Sequence, residues 1–77
     1  MKAVKVSLNS IDKVKAFVND ISGFNKAEFD LVSGRYVIDA KSIMGIFSLD
    51  LSKPIDLTVH AEGDAEDVMS TLKDYIV

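Results

Sequence analysis

A single imidazole, a serine opening a strongly apolar segment, and a run of carboxylates are the groups in this 77-residue chain with chemistry to offer. His60 is the sole histidine, so a histidine general base, a histidine-activated nucleophile or a multi-histidine metal site would rest on it alone. Its setting argues for a surface residue. In I-D-L-T-V-H-A-E it belongs to the polar, outward set with Thr58 and Glu62, mid-strand, whereas catalytic side chains gather in clefts at element ends. No Ser-His-Asp set, phosphate-cradling glycine loop or paired histidine ligands can be assembled. The acidic run Glu62, Asp64, Glu66, Asp67 lacks the alternating ligands of a calcium loop and reads as carboxylates complementing a helix N-terminus. The expectation is a non-enzyme with no metal site and no cofactor.

The segment Lys41-Ser42-Ile43-Met44-Gly45-Ile46-Phe47-Ser48-Leu49 rises above background. Its glycine and length permit a turn or two of helix, and Ile43, Met44, Ile46, Phe47 and Leu49 are more apolar side chains than one narrow face can bury. Some are left exposed on this reading, and an exposed Met-bearing patch suits a docking surface. The plainer reading is a cap over one end of the core, and both stay open. Ser42 stands where an N-cap is needed, which is itself a sufficient reason for a serine.

Composition narrows the classes. With 48% apolar and 27% charged residues the chain is ordinary globular material that should fold as one small domain over residues 1–77. It has no cysteine, so disulfides and thiolate metal sites are excluded and stability must come from burial. A net charge of -3 opposes nucleic acid as a partner, because phosphate contacts need clustered Lys and Arg. No apolar run approaches the ~20 residues that span a bilayer, and Lys2 and Lys5 interrupt the amino-terminal apolar residues, so neither membrane insertion nor a signal peptide is expected. A cytoplasmic protein is the default expectation.

Periodicity supplies the elements that must position these groups. Ala3 to Leu8 alternates as a first strand, with Val4, Val6 and Leu8 on one face. Asn9 and Ser10 then offer cap oxygens, Asp12 a carboxylate for the free amides, and Ile11, Val14, Phe17, Val18 and Ile21 a helical stripe that Gly23 stops. A-E-F-D-L-V and R-Y-V-I-D-A alternate about Ser33-Gly34 as a hairpin, with Tyr36, Ile38 and Ala40 inward and Arg35, Val37 and Asp39 outward. After the short helix, Ile55, Leu57, Val59 and Ala61 mark a fourth strand. Asp64 caps a last helix with a Val68, Leu72, Ile76 stripe, Asp67 in its first turn and Lys73 in its last. The order is βαββαβα. It implies an α+β, open-faced two-layer sandwich: a four-stranded antiparallel sheet with two long helices and one short helix on one face.

The string A-K-S-I-M-G-I-F-S-L, ahead of a strand ending A-E-G and an acidic helix start, resembles the regulatory-serine region of HPr, the phosphocarrier protein of the bacterial sugar phosphotransferase system. Phe17-Val18 with Gly23-Phe24 extends the resemblance over nearly the whole chain, and the element order agrees. By that resemblance Ser42 falls on a serine that a dedicated kinase phosphorylates in many relatives. Ile43, Met44 and Phe47, accompanied by Lys41, fall on the patch that docks partner enzymes. The departure matters as much. The family carries its phosphate on a histidine opening the first long helix, followed by an arginine. Counting back from Phe17-Val18 puts Ser10 at the histidine position and Asp12 at the arginine position. A phosphoramidate passes its phosphoryl group onward, whereas a serine ester is stable.

The resemblance therefore implies an HPr-like protein related to sugar transport but without the carrier chemistry. Such a protein would act by binding phosphotransferase-system or regulatory proteins through Ser42 to Leu49, with a serine kinase acting on Ser42. Two further readings stay open. One is a phosphocarrier using His60 or a serine as an unorthodox acceptor. The other is a small-ligand regulatory domain of ferredoxin-like topology.

Overall fold

The computed structural model describes residues 2–61 and 63–77. In chain order the elements are β1 (Lys2–Val6), α1 (Ile11–Ser22), β2 (Glu28–Ser33), β3 (Tyr36–Asp39), α2 (Ile43–Phe47), β4 (Ile55–His60) and α3 (Ala65–Leu72). The four strands form one sheet in the order β1-β4-β2-β3, with every neighbouring pair antiparallel. This is the α+β open sheet expected from the periodicity. The order also excludes ferredoxin-like topology, in which β1 and β3 are the central strands; here β4 and β2 are, and β1 and β3 are the edges.

One sheet face is apolar because the strands alternate in register. Val6 lies opposite Ile55, Phe29 opposite Val59, and Leu31 opposite Leu57, all buried. Helix α1 lays Val14, Phe17 and Ile21 onto this layer, and α3 adds Val68 and Leu72. The buried set contains no polar or charged residue among those described. Apolar burial thus carries the stability of this cysteine-free chain. The opposite sheet face has no layer over it.

The hairpin turn depends on one glycine. Gly34 has φ of +60°, and with Arg35 at negative φ this is the two-residue turn whose first central position favours glycine. At the far side of the sheet, β1 is not left bare. Val6 bridges to Ile76, the Val77 amide donates to the Lys5 carbonyl at 3.0 Å, and the Ser7 amide donates to the Tyr75 carbonyl at 2.8 Å.

Several expectations change. Tyr36, expected inward, is 70% exposed: on the edge strand, near the hairpin end, no helix reaches over it. Ile11, assigned to the buried stripe, is 62% exposed because the first helical turn projects past the core. Helix α3 ends at Leu72, so Ile76 is not its third stripe residue; it is partly buried by bridging to β1, and Tyr75 enters the core instead. Gly23 caps α1 with φ of -71°, in a right-handed turn closed by the Phe24 amide donating to the Ile21 carbonyl at 3.0 Å. Asp64 occupies the N-cap of α3, yet its side chain makes no cap hydrogen bond. Glu62 lies outside the described residues.

Candidate functional site around the second helix

Ser42 opens α2 as its N-cap. Its backbone is extended (φ -92°, ψ 99°), its Oγ accepts from the Gly45 amide at 3.3 Å, and its carbonyl accepts from the Ile46 amide at 3.1 Å. The hydroxyl is exposed and faces the free amides of the helix. Gly45 makes this closure compact. A β-carbon there would stand 3.3 Å from the Ser42 Oγ and 3.4 Å from the Ile38 Cδ1, so its absence lets the short helix sit on β3 and the cap close.

The apolar side chains of α2 divide as their number required. Ile46 and Leu49 are buried, and Ile43 is half-buried against the core. Met44 is 78% exposed and Phe47 40% exposed. Ser42, Met44 and Phe47 therefore lie together on one short element, with an exposed hydroxyl beside unburied apolar surface. Lys41, expected among the partner contacts, turns inward instead. Its Nζ donates to the Phe24 carbonyl at 3.0 Å and to the Ala27 carbonyl at 3.1 Å, and lies 5.6 Å from the Phe29 ring centroid. It ties the start of α2 to the turn after α1. The Asp39 carboxylate secures the same corner by accepting from the Lys41 amide at 2.9 Å.

At the start of α1, Ser10 is the N-cap, its Oγ accepting from the Lys13 amide at 3.1 Å. Asp12 stands exposed in the first turn without the capping bond expected of it. His60 is remote from this point. The register sets Val6 against Ile55, so the chain enters α1 beside the start of β4, while His60 ends that strand roughly 17 Å along it at the usual rise per residue. Its side chain is on the outward face, where Nε2 lies 3.3 Å from Asp30 Oδ2. Local sequence did not reveal this pair: it joins positions 30 apart in the chain and comes from the β2–β4 register. Among the described residues no cluster of three metal-ligating side chains occurs, and no helix is long and apolar enough to cross a membrane.

Comparisons with known proteins agree with this geometry. The family model described as "PTS HPr component phosphorylation site" matches residues 12–77. Among solved structures, the chain is similar to the phosphocarrier protein HPr from Bacillus anthracis strain Ames, with 30% identity, 99% of this chain and 94% of that one covered, and a TM-score of 0.71. It is also similar to HPr-C-His from Thermoanaerobacter tengcongensis, with 27% identity, coverage of 96% and 89%, and a TM-score of 0.78. No match was found among the curated proteins. Matched in sequence over most of its length and in fold over nearly all of it, the chain belongs to the HPr family of the bacterial phosphotransferase system.

Proposed function

We propose that this HPr family member is a single-domain protein that does not carry phosphoryl groups and works by binding partner proteins through α2, under the control of Ser42 phosphorylation. The observation that carries the first half is the separation of its one imidazole from the start of α1. A carrier nitrogen belongs at that helix N-terminus, where free amides and a neighbouring cation receive the phosphate. Ser10 and Asp12 stand there instead, a hydroxyl whose ester would be stable and a carboxylate that repels the incoming group. His60 is no substitute. It sits across the sheet, and Asp30 beside it would repel a phosphoryl donor in the same way.

The second half rests on Met44 and Phe47. Unburied apolar side chains on a short, well-capped helix are what a partner's apolar surface removes from water. The partners implied by the family are other phosphotransferase-system proteins and regulatory proteins, including a serine kinase. Phosphorylating Ser42 adds about two negative charges at this spot. The phosphate would be favoured by the α2 amides, since it lies at a helix start, and it would oppose a partner that is apolar or acidic around Met44. Lys41 supports the patch by holding α2 in place and does not itself contact the partner.

Titrating the protein with the enzyme that phosphorylates HPr proteins tests the docking half. Wild type should bind, and Met44→Asp or Phe47→Asp should weaken binding by ~30-fold or more, the hot-spot range of about 2 kcal/mol, while circular dichroism shows a folded domain. Unchanged affinity in both folded variants would show that the docking surface lies elsewhere.

A further inference from the structure

The two edges of the sheet are treated differently by the chain. The β1 edge is covered by the carboxy-terminal residues, through the Val6–Ile76 bridge and the Val77 amide bonded to the Lys5 carbonyl. The β3 edge has no such cover: β3 pairs with β2 alone. An uncovered edge is a template for another strand unless something blunts it. Arg35 to Asp39 contains neither proline nor an interior charge, and it exposes Tyr36 at 70% and Val37 at 65%.

Hydrogen-bond parity shows which backbone groups are available. The two-residue turn makes Ser33 and Tyr36 a mutually bonded pair, and antiparallel pairing then alternates, so Tyr36, Ile38 and Ala40 direct their amides and carbonyls toward β2. The Ala40 amide, which donates to the Phe29 carbonyl at 2.8 Å, confirms that phase. Val37 and Asp39 therefore direct theirs outward, and Arg35, the second turn residue, flanks them. The Asp39 carbonyl already accepts from the Ser42 amide at 2.9 Å and keeps its second lone pair.

We propose that β3 pairs antiparallel with β3 of a second copy of this chain, about a twofold axis at Val37, joining the two sheets into one of eight strands. The residue pattern is self-complementary about that position. Val37 meets Val37 of the other copy as a mutually bonded pair, Tyr36 meets Ile38 on the inner face, and at each end the long Arg35 side chain, from the turn, comes opposite Asp39. Arg35 makes no ion pair among the described residues, so the contact gives its guanidinium a carboxylate. A short edge buries less than about 1,000 Å², so the dimer is weak and assembles at high concentration. The contact is made by β3, whereas the docking reading rests on Met44 and Phe47 of α2, so the two are tested by different substitutions.

Sedimentation equilibrium up to ~1 mM chain should show a monomer–dimer equilibrium for the wild type. Arg35→Asp and Asp39→Arg, each checked for folding, should weaken dimerisation at least tenfold, because like charges then face each other twice. Mixed in equal amounts, the two variants should form a heterodimer, since each opposed pair regains opposite charges. Val37→Lys, a change at an exposed outward position, should also abolish dimers, and together with Arg35→Asp it decides the matter if Asp39→Arg fails to fold. A wild type monomeric throughout, or a dimer that survives Val37→Lys or Arg35→Asp, overturns the proposal. So does a mixture of folded charge variants that fails to associate.

Discussion

The capping role of Ser42 and the regulatory role proposed for it are separable by measurement. As N-cap it accepts from the Gly45 amide, and Ser42→Ala should lower unfolding stability by about 1 kcal/mol in denaturant titration. An unchanged midpoint would remove the capping role without bearing on the regulatory proposal. A second side chain makes a pH prediction. The Tyr75 hydroxyl donates to Asp20 Oδ2 at 2.9 Å while its ring meets Phe17 edge-on at 5.5 Å. Burial, and then the Asp20 carboxylate, push its pKa from 10.0 to about 12. Between those values the folded chain keeps a proton that the unfolded chain has lost. The stabilisation is therefore complete below pH 10 and is lost as pH rises toward about 12. Tyr75→Phe should flatten that alkaline decline, and an unaltered slope would mean the hydroxyl is not its source. At this scale the sequence was legible where the signal is local. Ser42 precedes an apolar run and reads as a cap, whereas the contacts of Lys41 with Phe24 and Ala27, and of His60 with Asp30, exist only once distant segments pack.

The helix α2 is five residues long and holds its place through burial and capping more than through its own propensity. Its two apolar classes should respond differently. Ile46→Ala removes a fully buried side chain and should cost about 2–5 kcal/mol, while Met44→Ala should stay within about 0.5 kcal/mol, both read from unfolding midpoints. Comparable losses at both positions would place Met44 in the core and end its use as a docking residue. Element order and type were readable because apolar periodicity changes cleanly between 2 and 3.6 along the chain. Element ends were less so. Tyr36 continues the alternation of β3 perfectly well, and nothing in its neighbourhood announces that no helix covers that corner. The Val68, Leu72, Ile76 spacing fits a longer helix equally, but Ile76 is drawn into a bridge with Val6, a partner 70 positions away.

For the whole molecule, the sheet order decides what the element order left open. A βαββαβα sequence serves more than one topology, and strand order depends on which edges pair, a property of long-range register that no window of sequence contains. The resulting architecture and the family match place this chain in the HPr family, while the function proposed for it rests on Ser10 and Asp12 at the start of α1, where a carrier would need an imidazole and a cation. That tension is the centre of the account. The measurement that addresses it is incubation with labelled phosphoenolpyruvate and the enzyme that charges HPr proteins, run beside a histidine-bearing HPr as positive control. The account predicts acid-labile label on the control and none on this chain. Acid-labile label here, transferable to a sugar permease, would contradict it outright.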